Sequence, residues 1–229
     1  MKLSAESPWV PDLVVDLAAW NLASKDAAIQ DPLLRQLIMD PGAGRELYLL
    51  GSVLQGSGRV EEAQMAWNGS LKVSERFRPS ILERAVTGAD PTAAFQKFGP
   101  ESYAGCIECA EQMRKAPVFK EQLLSRAEQL WPEAQNRLEP KIAVLRGRQF
   151  ILMEQLAQAD EWLRQVQGQW PTSNEIRAER ARCLEALDRI DEAHEEWFII
   201  KTLDPENEIA AASMKRLANL PPKLRKVKR

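Results

Sequence analysis

One spacing recurs three times in this chain and restricts its fold more than any other feature. Leu54, Ala63 and Trp67 are separated by nine and then four residues, as are Phe150, Ala159 and Leu163, and Leu184, Ala193 and Trp197. The last two sets lie 34 residues apart at every position, and Pro171 and Pro205 keep the same offset. A fixed period of this length marks a stacked helical repeat rather than a single enzyme core. The alternative is a non-repeating helical bundle. Ala63 and Ala159 are 96 residues apart where three whole periods need 102, so the middle of the array departs from strict repetition. The expected faults are residues 78–100 and the spacer 135–139.

Signals for β-strands are scarce. Apolar residues recur instead at three and four, as in Leu47, Leu50, Leu54 and in Leu138, Ile142, Leu145 with Phe150 and Met153. Breakers divide the helices at Asp40-Pro41-Gly42, Asp90-Pro91, Gly99-Pro100, Trp131-Pro132, Trp170-Pro171 and Asp204-Pro205. Asp before Pro suits a helix start, because Asp caps free amides and Pro occupies the first turn without losing a bond. The expected fold class is all-α: a right-handed α-solenoid of stacked antiparallel hairpins. Hairpins are expected at about 10–40, 44–77, 78–100, 101–134, 140–173 and 174–207. A closing helix follows at 207–220, with Ile209, Leu217 and Leu220 facing inward. Together they make one helical-repeat domain, 1–220, followed by a basic tail, 221–229.

A two-helix repeat cannot bury its apolar faces alone, so neighbours stabilise one another. The small residue (Ala63, Ala159, Ala193) allows close approach of two helix backbones, and the large residue one turn later fills the gap. The turn recurs as well: Gly58-Arg59-Val60-Glu61-Glu62-Ala63 parallels Asp188-Arg189-Ile190-Asp191-Glu192-Ala193, with acids in the first helical turn where the helix dipole favours them. On these residues the chain resembles the tetratricopeptide repeat family. Leu47, Leu50, Gly51, Leu54, Ala63 and Trp67 match in one copy. Ala143, Gly147, Phe150, Ala159, Leu163 and Pro171 match in a second, and Ala181, Leu184, Ala193, Trp197 and Pro205 in a third. Segment 101–134 is a weaker copy carried by Ala127 and Leu130-Trp131-Pro132. Segment 10–41 resembles the second half of a repeat around Ala28-Ile29-Gln30.

The resemblance implies a non-catalytic scaffold that holds another protein or peptide segment in an inner groove lined by the first helix of each pair. Carried over by register, that face holds Arg45, Tyr48, Leu49, Ser52 and Gln55, then Lys141, Val144, Arg148 and Ile151, then Ala178, Glu179, Arg182 and Glu185. Arg45, Tyr48, Gln55, Lys141, Arg148, Glu179 and Arg182 are the expected partner-binding residues, since arginine pairs with carboxylates and Tyr and Arg favour interface hot spots. The family's carboxylate clamp sets lysines beside asparagines on this face, and asparagine is absent here. Replacing Arg148 by Glu is expected to separate partner capture from stability.

Other chemistry has little support in the sequence. Cys106 and Cys109 form a C-x-x-C without a second pair or clustered histidines, and read as small residues packed between helices, with a redox or adventitious metal role as the alternative. His194, the lone histidine, reads as a helix-face residue. Gly51 to Gly56 has the glycine spacing of a phosphate loop but lacks its Lys-Ser/Thr. No catalytic residue, cofactor or metal site is expected. Net charge is −2, yet the last nine residues carry five cations, Lys223, Arg225, Lys226, Lys228 and Arg229, which leaves −7 on the rest. The alternative function is therefore contact with nucleic acid or an anionic membrane through that tail. No run approaches a membrane span and the start does not read as a signal peptide, so a cytoplasmic location is expected.

Overall fold

The computed structural model describes residues 43–85, 90–113 and 117–219. The expected hairpin at 10–40, the tail 221–229 and Leu220 lie outside them. Among the described residues all regular structure is helical. The α-helices are α1 (Gly44–Gly56), α2 (Val60–Val73), α3 (Arg78–Ala85), α4 (Pro91–Phe98), α5 (Tyr103–Gln112), α6 (Pro117–Gln135), α7 (Pro140–Leu152), α8 (Leu156–Gln169), α9 (Asn174–Ala186), α10 (Ile190–Leu203) and α11 (Glu208–Ala218), with a 3₁₀ turn at Glu75–Phe77. The described chain falls into two compact units. One runs to Pro100 and includes Gln112–Lys120; the other comprises Glu101–Glu111 and the chain from Glu121 onward.

The nine-residue spacing has a direct cause. In each hairpin a single residue ties two helices together. Arg59 donates its N–H to Leu54 O at 3.0 Å and accepts from Ala63 N at 3.0 Å; Gln155 bonds Phe150 O (2.8 Å) and Ala159 N (3.0 Å); Arg189 bonds Leu184 O (2.9 Å) and Ala193 N (3.0 Å). Five residues back and four forward make nine. The residue before each bridge sits in the left-handed region: Gly58 at φ 81°, Glu154 at 62° and Asp188 at 60°. This conformation lets the chain leave one helix and satisfy its last carbonyls while starting the next. Arg59 and Arg189 also bond the third residue onward, Glu62 and Glu192, with Nε to carboxylate distances of 2.6 and 2.7 Å.

The four-residue step places the large residue one helical turn beyond the alanine, against a small residue of the first helix. Trp67 seats on Gly51: a methyl there would come within 2.5 Å of Trp67 Nε1. Leu163 seats on Gly147, where a methyl would meet its Cδ2 at 2.6 Å. Trp67, Leu163 and Trp197 are almost wholly buried, as are Ala63, Ala159 and Ala193. Burying one indole removes roughly 150–250 Å² from water, worth several kcal/mol at about 25 cal/mol per Å².

In the first unit α1 packs on α2 and α3 on α4. Phe98 meets Trp67 edge to face at 5.8 Å, and the Arg78 guanidinium bonds the carbonyls of Phe98 and Gly99. In the second unit α7 packs on α8, α8 on α9, α9 on α10 and α10 on α11, while α7 also lies against α9. First helices of successive hairpins are thus neighbours. A buried ion network ties α8, α9 and α10. Glu196 accepts from Arg177 (2.8 Å), Arg180 (2.6 Å) and Gln167 (3.2 Å), and Asp160 accepts from Arg180 (3.0 Å) and Arg189.

Four local expectations are corrected. Trp131-Pro132 does not break the chain, since α6 continues through Pro132 to Gln135. Trp131 is held by Tyr103 at 5.3 Å, Trp162 at 5.6 Å and the Arg146 guanidinium at 4.6 Å, and this packing outweighs the one backbone bond lost. Asp204-Pro205 does not start a helix. α11 begins at Glu208 with Asn207 as its cap, accepting from Ala210 N at 2.9 Å, while Asp204 accepts from Asn207 Nδ2 at 3.0 Å. Asp90, by contrast, caps Thr92 N at 3.1 Å with Pro91 opening α4. Ile209 is 60% exposed, because the buried stripe of α11 starts one residue later at Ala210, Ser213 and Leu217. Val144, assigned to a groove face, is buried in the core with Ala159 and Leu163.

Glycine substitutions separate these effects. Gly51→Ala is expected to destabilise by about 1–3 kcal/mol through overpacking on Trp67. Gly168→Ala, whose methyl would meet nothing within 4 Å, is expected to stabilise by about 0.4–1 kcal/mol. Denaturant melts of the two variants check the contrast. Glu196→Ala strips two arginines of a buried partner and is expected to cost about 3–5 kcal/mol in the same assay.

Candidate functional site

Burial decides where the chemistry of the second unit lies. α7 turns Ala143, Val144 and Gly147 into the core, and α9 does the same with Ile176, Cys183 and Leu184. The helical period then leaves Lys141 and Arg148 on one side of α7, and Glu179 and Arg182 on the matching side of α9. α5 adds Glu108 and Glu111, one turn apart.

Arg148 is the hub. Its Nε donates to Glu179 Oε2 at 2.9 Å, and its Nη1 stands 3.4 Å from Glu111 Oε1. Arg182 Nη1 donates to the same Glu179 oxygen at 2.9 Å. Lys141 Nζ lies 3.9 Å from Glu108 Oε1. The Glu179 side chain is only 6% exposed, so this carboxylate is buried beneath two guanidiniums. Burial lowers the Arg148 pKa, but Glu179, Glu111 and Glu108 more than offset it, and Arg148 ends above its ordinary value. Burial raises the Glu111 pKa; Arg148 and Arg182 pull it back, Glu179 and Glu108 push it further, and the net shift is upward.

The sequence-derived residues fall into two groups, one per unit. Lys141, Arg148, Glu179 and Arg182 come together as described. Arg45, Tyr48 and Gln55 stand on α1 in the first unit. Arg45 is exposed. Tyr48 stacks on Phe77 at 5.1 Å with a 12° interplanar angle, and its hydroxyl accepts from Arg84 Nε at 3.1 Å. Ser52 donates to Tyr48 O at 2.9 Å, while the Gln55 Oε1 is buried with no hydrogen-bond partner. Glu185 is structural, accepting from Trp197 Nε1 at 2.8 Å and Arg216 at 2.6 Å.

Glu108 and Glu111 were not legible in advance. The copy at 101–134 shows itself through its second helix, at Ala127 and Leu130-Trp131, and its first helix offers no anchor for a register. A buried polar cluster was also missed. Tyr103 Oη donates to Gln149 Oε1 at 2.8 Å, and Arg146 bonds Gln149 (2.8 Å) and Glu128 (2.6 Å). Cys106, Cys109 and Cys183 are buried, and the Cys183 thiol donates to Leu156 O at 3.3 Å. Arg148→Glu no longer separates capture from stability, because it would set a third carboxylate against Glu111 and the buried Glu179. Among the described residues no three His, Cys, Asp or Glu side chains gather as metal ligands, and no helix is long and apolar enough to cross a membrane.

No protein-family model matches the chain, and no curated protein matches it in sequence. Among solved structures it is similar to the assembly chaperone of RpL4 (Acl4, residues 1–338), with 17% identity and a TM-score of 0.39, over 91% of this chain and 95% of that one.

The raised pKa of Glu111 has a signed consequence. A carboxyl that titrates higher in the fold than in the unfolded chain contributes stability below its ordinary pKa, and that contribution is lost as pH rises through the raised value. Glu111→Gln is therefore expected to melt above the parent at pH 7, with the two converging as pH falls below about 4. Thermal melts across that range check it.

Proposed function

We propose that the chain is a non-catalytic protein-interaction module of tetratricopeptide-like type, docking a partner segment on the face built by α5, α7 and α9. The observation that carries this reading is the sharing of buried Glu179 by Arg148 and Arg182. It spans two successive hairpins and fixes both guanidiniums without consuming them, since each has five N–H donors in a planar fork. Side chains held in place before binding lose less entropy when a partner arrives. The Lys141 and Arg182 side chains are 69% and 47% exposed, so two cations of the face are reachable from solvent. The repeat architecture supports the same reading, because stacked hairpins present aligned first helices as a continuous surface.

The test uses Lys141→Gln/Arg182→Gln, which leaves Arg148 on Glu179. A partner captured by the full chain from its native extract is identified by mass spectrometry, produced recombinantly and titrated calorimetrically. The double variant is expected to bind it about tenfold or more weakly while still melting in one cooperative transition, since Arg148 keeps the buried Glu179 paired. Equal affinity of variant and parent would refute the assignment.

A further inference from the structure

The two carboxylates on Arg148 are held very differently. Glu179 is buried, bonded at 2.9 Å and locked by Arg182. Glu111 is 35% exposed and stands 3.4 Å away, outside the 2.7–2.9 Å range of a charge-assisted hydrogen bond. It belongs to another helix, and Glu108 and Glu179 crowd it with like charge. Glu179 therefore reads as a fixture and Glu111 as a loose occupant of the outer edge of Arg148.

We propose that Glu111 is a built-in stand-in for a partner's carboxylate, and that an acidic, extended segment docks by displacing it from Arg148 while Arg182 and Lys141 receive neighbouring acidic side chains. This rests on the docking reading above and names the class of partner. The exchange is like for like. The fold has already desolvated Arg148, so an incoming carboxylate takes over an existing pairing and releases Glu111 toward water. Competition from Glu111 lowers affinity for every ligand and rejects those without a carboxylate to offer in return. Lys141 and Arg148 are seven residues apart on α7, about 10.5 Å along the axis. Acidic side chains three residues apart on an extended segment of polyproline II form share one face, and at roughly 3.1 Å per residue they stand close to that interval.

Fluorescein-labelled hexaglutamate, with hexalysine as control, tests the proposal by anisotropy on the full chain at low ionic strength. Glu111→Gln is expected to bind hexaglutamate about tenfold tighter than the parent, and hexalysine to bind neither. The gain is expected to vanish in Glu111→Gln/Arg148→Gln. Should that variant melt early, Arg148→Lys replaces it, since the ammonium keeps a charge beside Glu179 but lacks the planar fork that holds two carboxylates in fixed directions. Unchanged affinity in Glu111→Gln, or a gain that persists without the Arg148 fork, overturns the displacement. If the displacement fails while Lys141→Gln/Arg182→Gln still loses the captured partner, the docking reading survives alone. If neither variant alters binding, both fall.

Discussion

The hairpins depend on a backbone bridge of one residue. At Arg59, Gln155 and Arg189 the N–H closes the end of one helix and the C=O opens the next. That pair of bonds fixes where the second helix begins, and hence which of its residues faces the first. The glycine or alanine of the first helix and the tryptophan or leucine of the second then meet in a single register. A slip of one residue would rotate the second helix by about 100° and drive the large side chain out of its seat. The turn and the core are thus two expressions of one constraint, and the left-handed residue before each bridge is its local cost.

Much of this is written in the chain at the level of spacing. The Leu54–Ala63–Trp67 ruler is legible because it combines a backbone distance with a packing pair, and both must be kept by residue type. The helical fold follows from it, whereas the seating of Trp67 on Gly51 and of Leu163 on Gly147 shows only in the packing. Punctuation is less dependable. Pro132 looks like a stop and is not, because the side chain before it is packed among two aromatic rings and a guanidinium. Asp204 looks like a cap and is not, because Asn207 takes that place. Both outcomes turn on tertiary neighbours that a local reading does not contain.

The candidate site shows the same division. Register alone brings Arg148, Glu179 and Arg182 onto one side, since α7 and α9 belong to well-matched copies 34 residues apart. It says nothing of Glu111, whose copy has no anchor on its first helix. Nor does it show that Glu179 lies beneath its arginines rather than beside them. Depth is set by how far neighbouring helices lean over a position, and the residue type at that position does not encode it. That depth gives Arg148 a structural part, as the partner of a buried carboxylate.

The three cysteines acquire a use from where they fall. Cys106, Cys109 and Cys183 all belong to the unit built from Glu101–Glu111 and the chain beyond Glu121, and all three are buried. Burial, reinforced by Asp160 and Glu179, pushes the Cys183 thiol up to about 11, which keeps it in its unreactive form near neutrality. The other unit has no sulfhydryl at all. Alkylating reagents therefore report the breathing of one half of the molecule and are blind to the other, a natural isotope-free label for telling their openings apart.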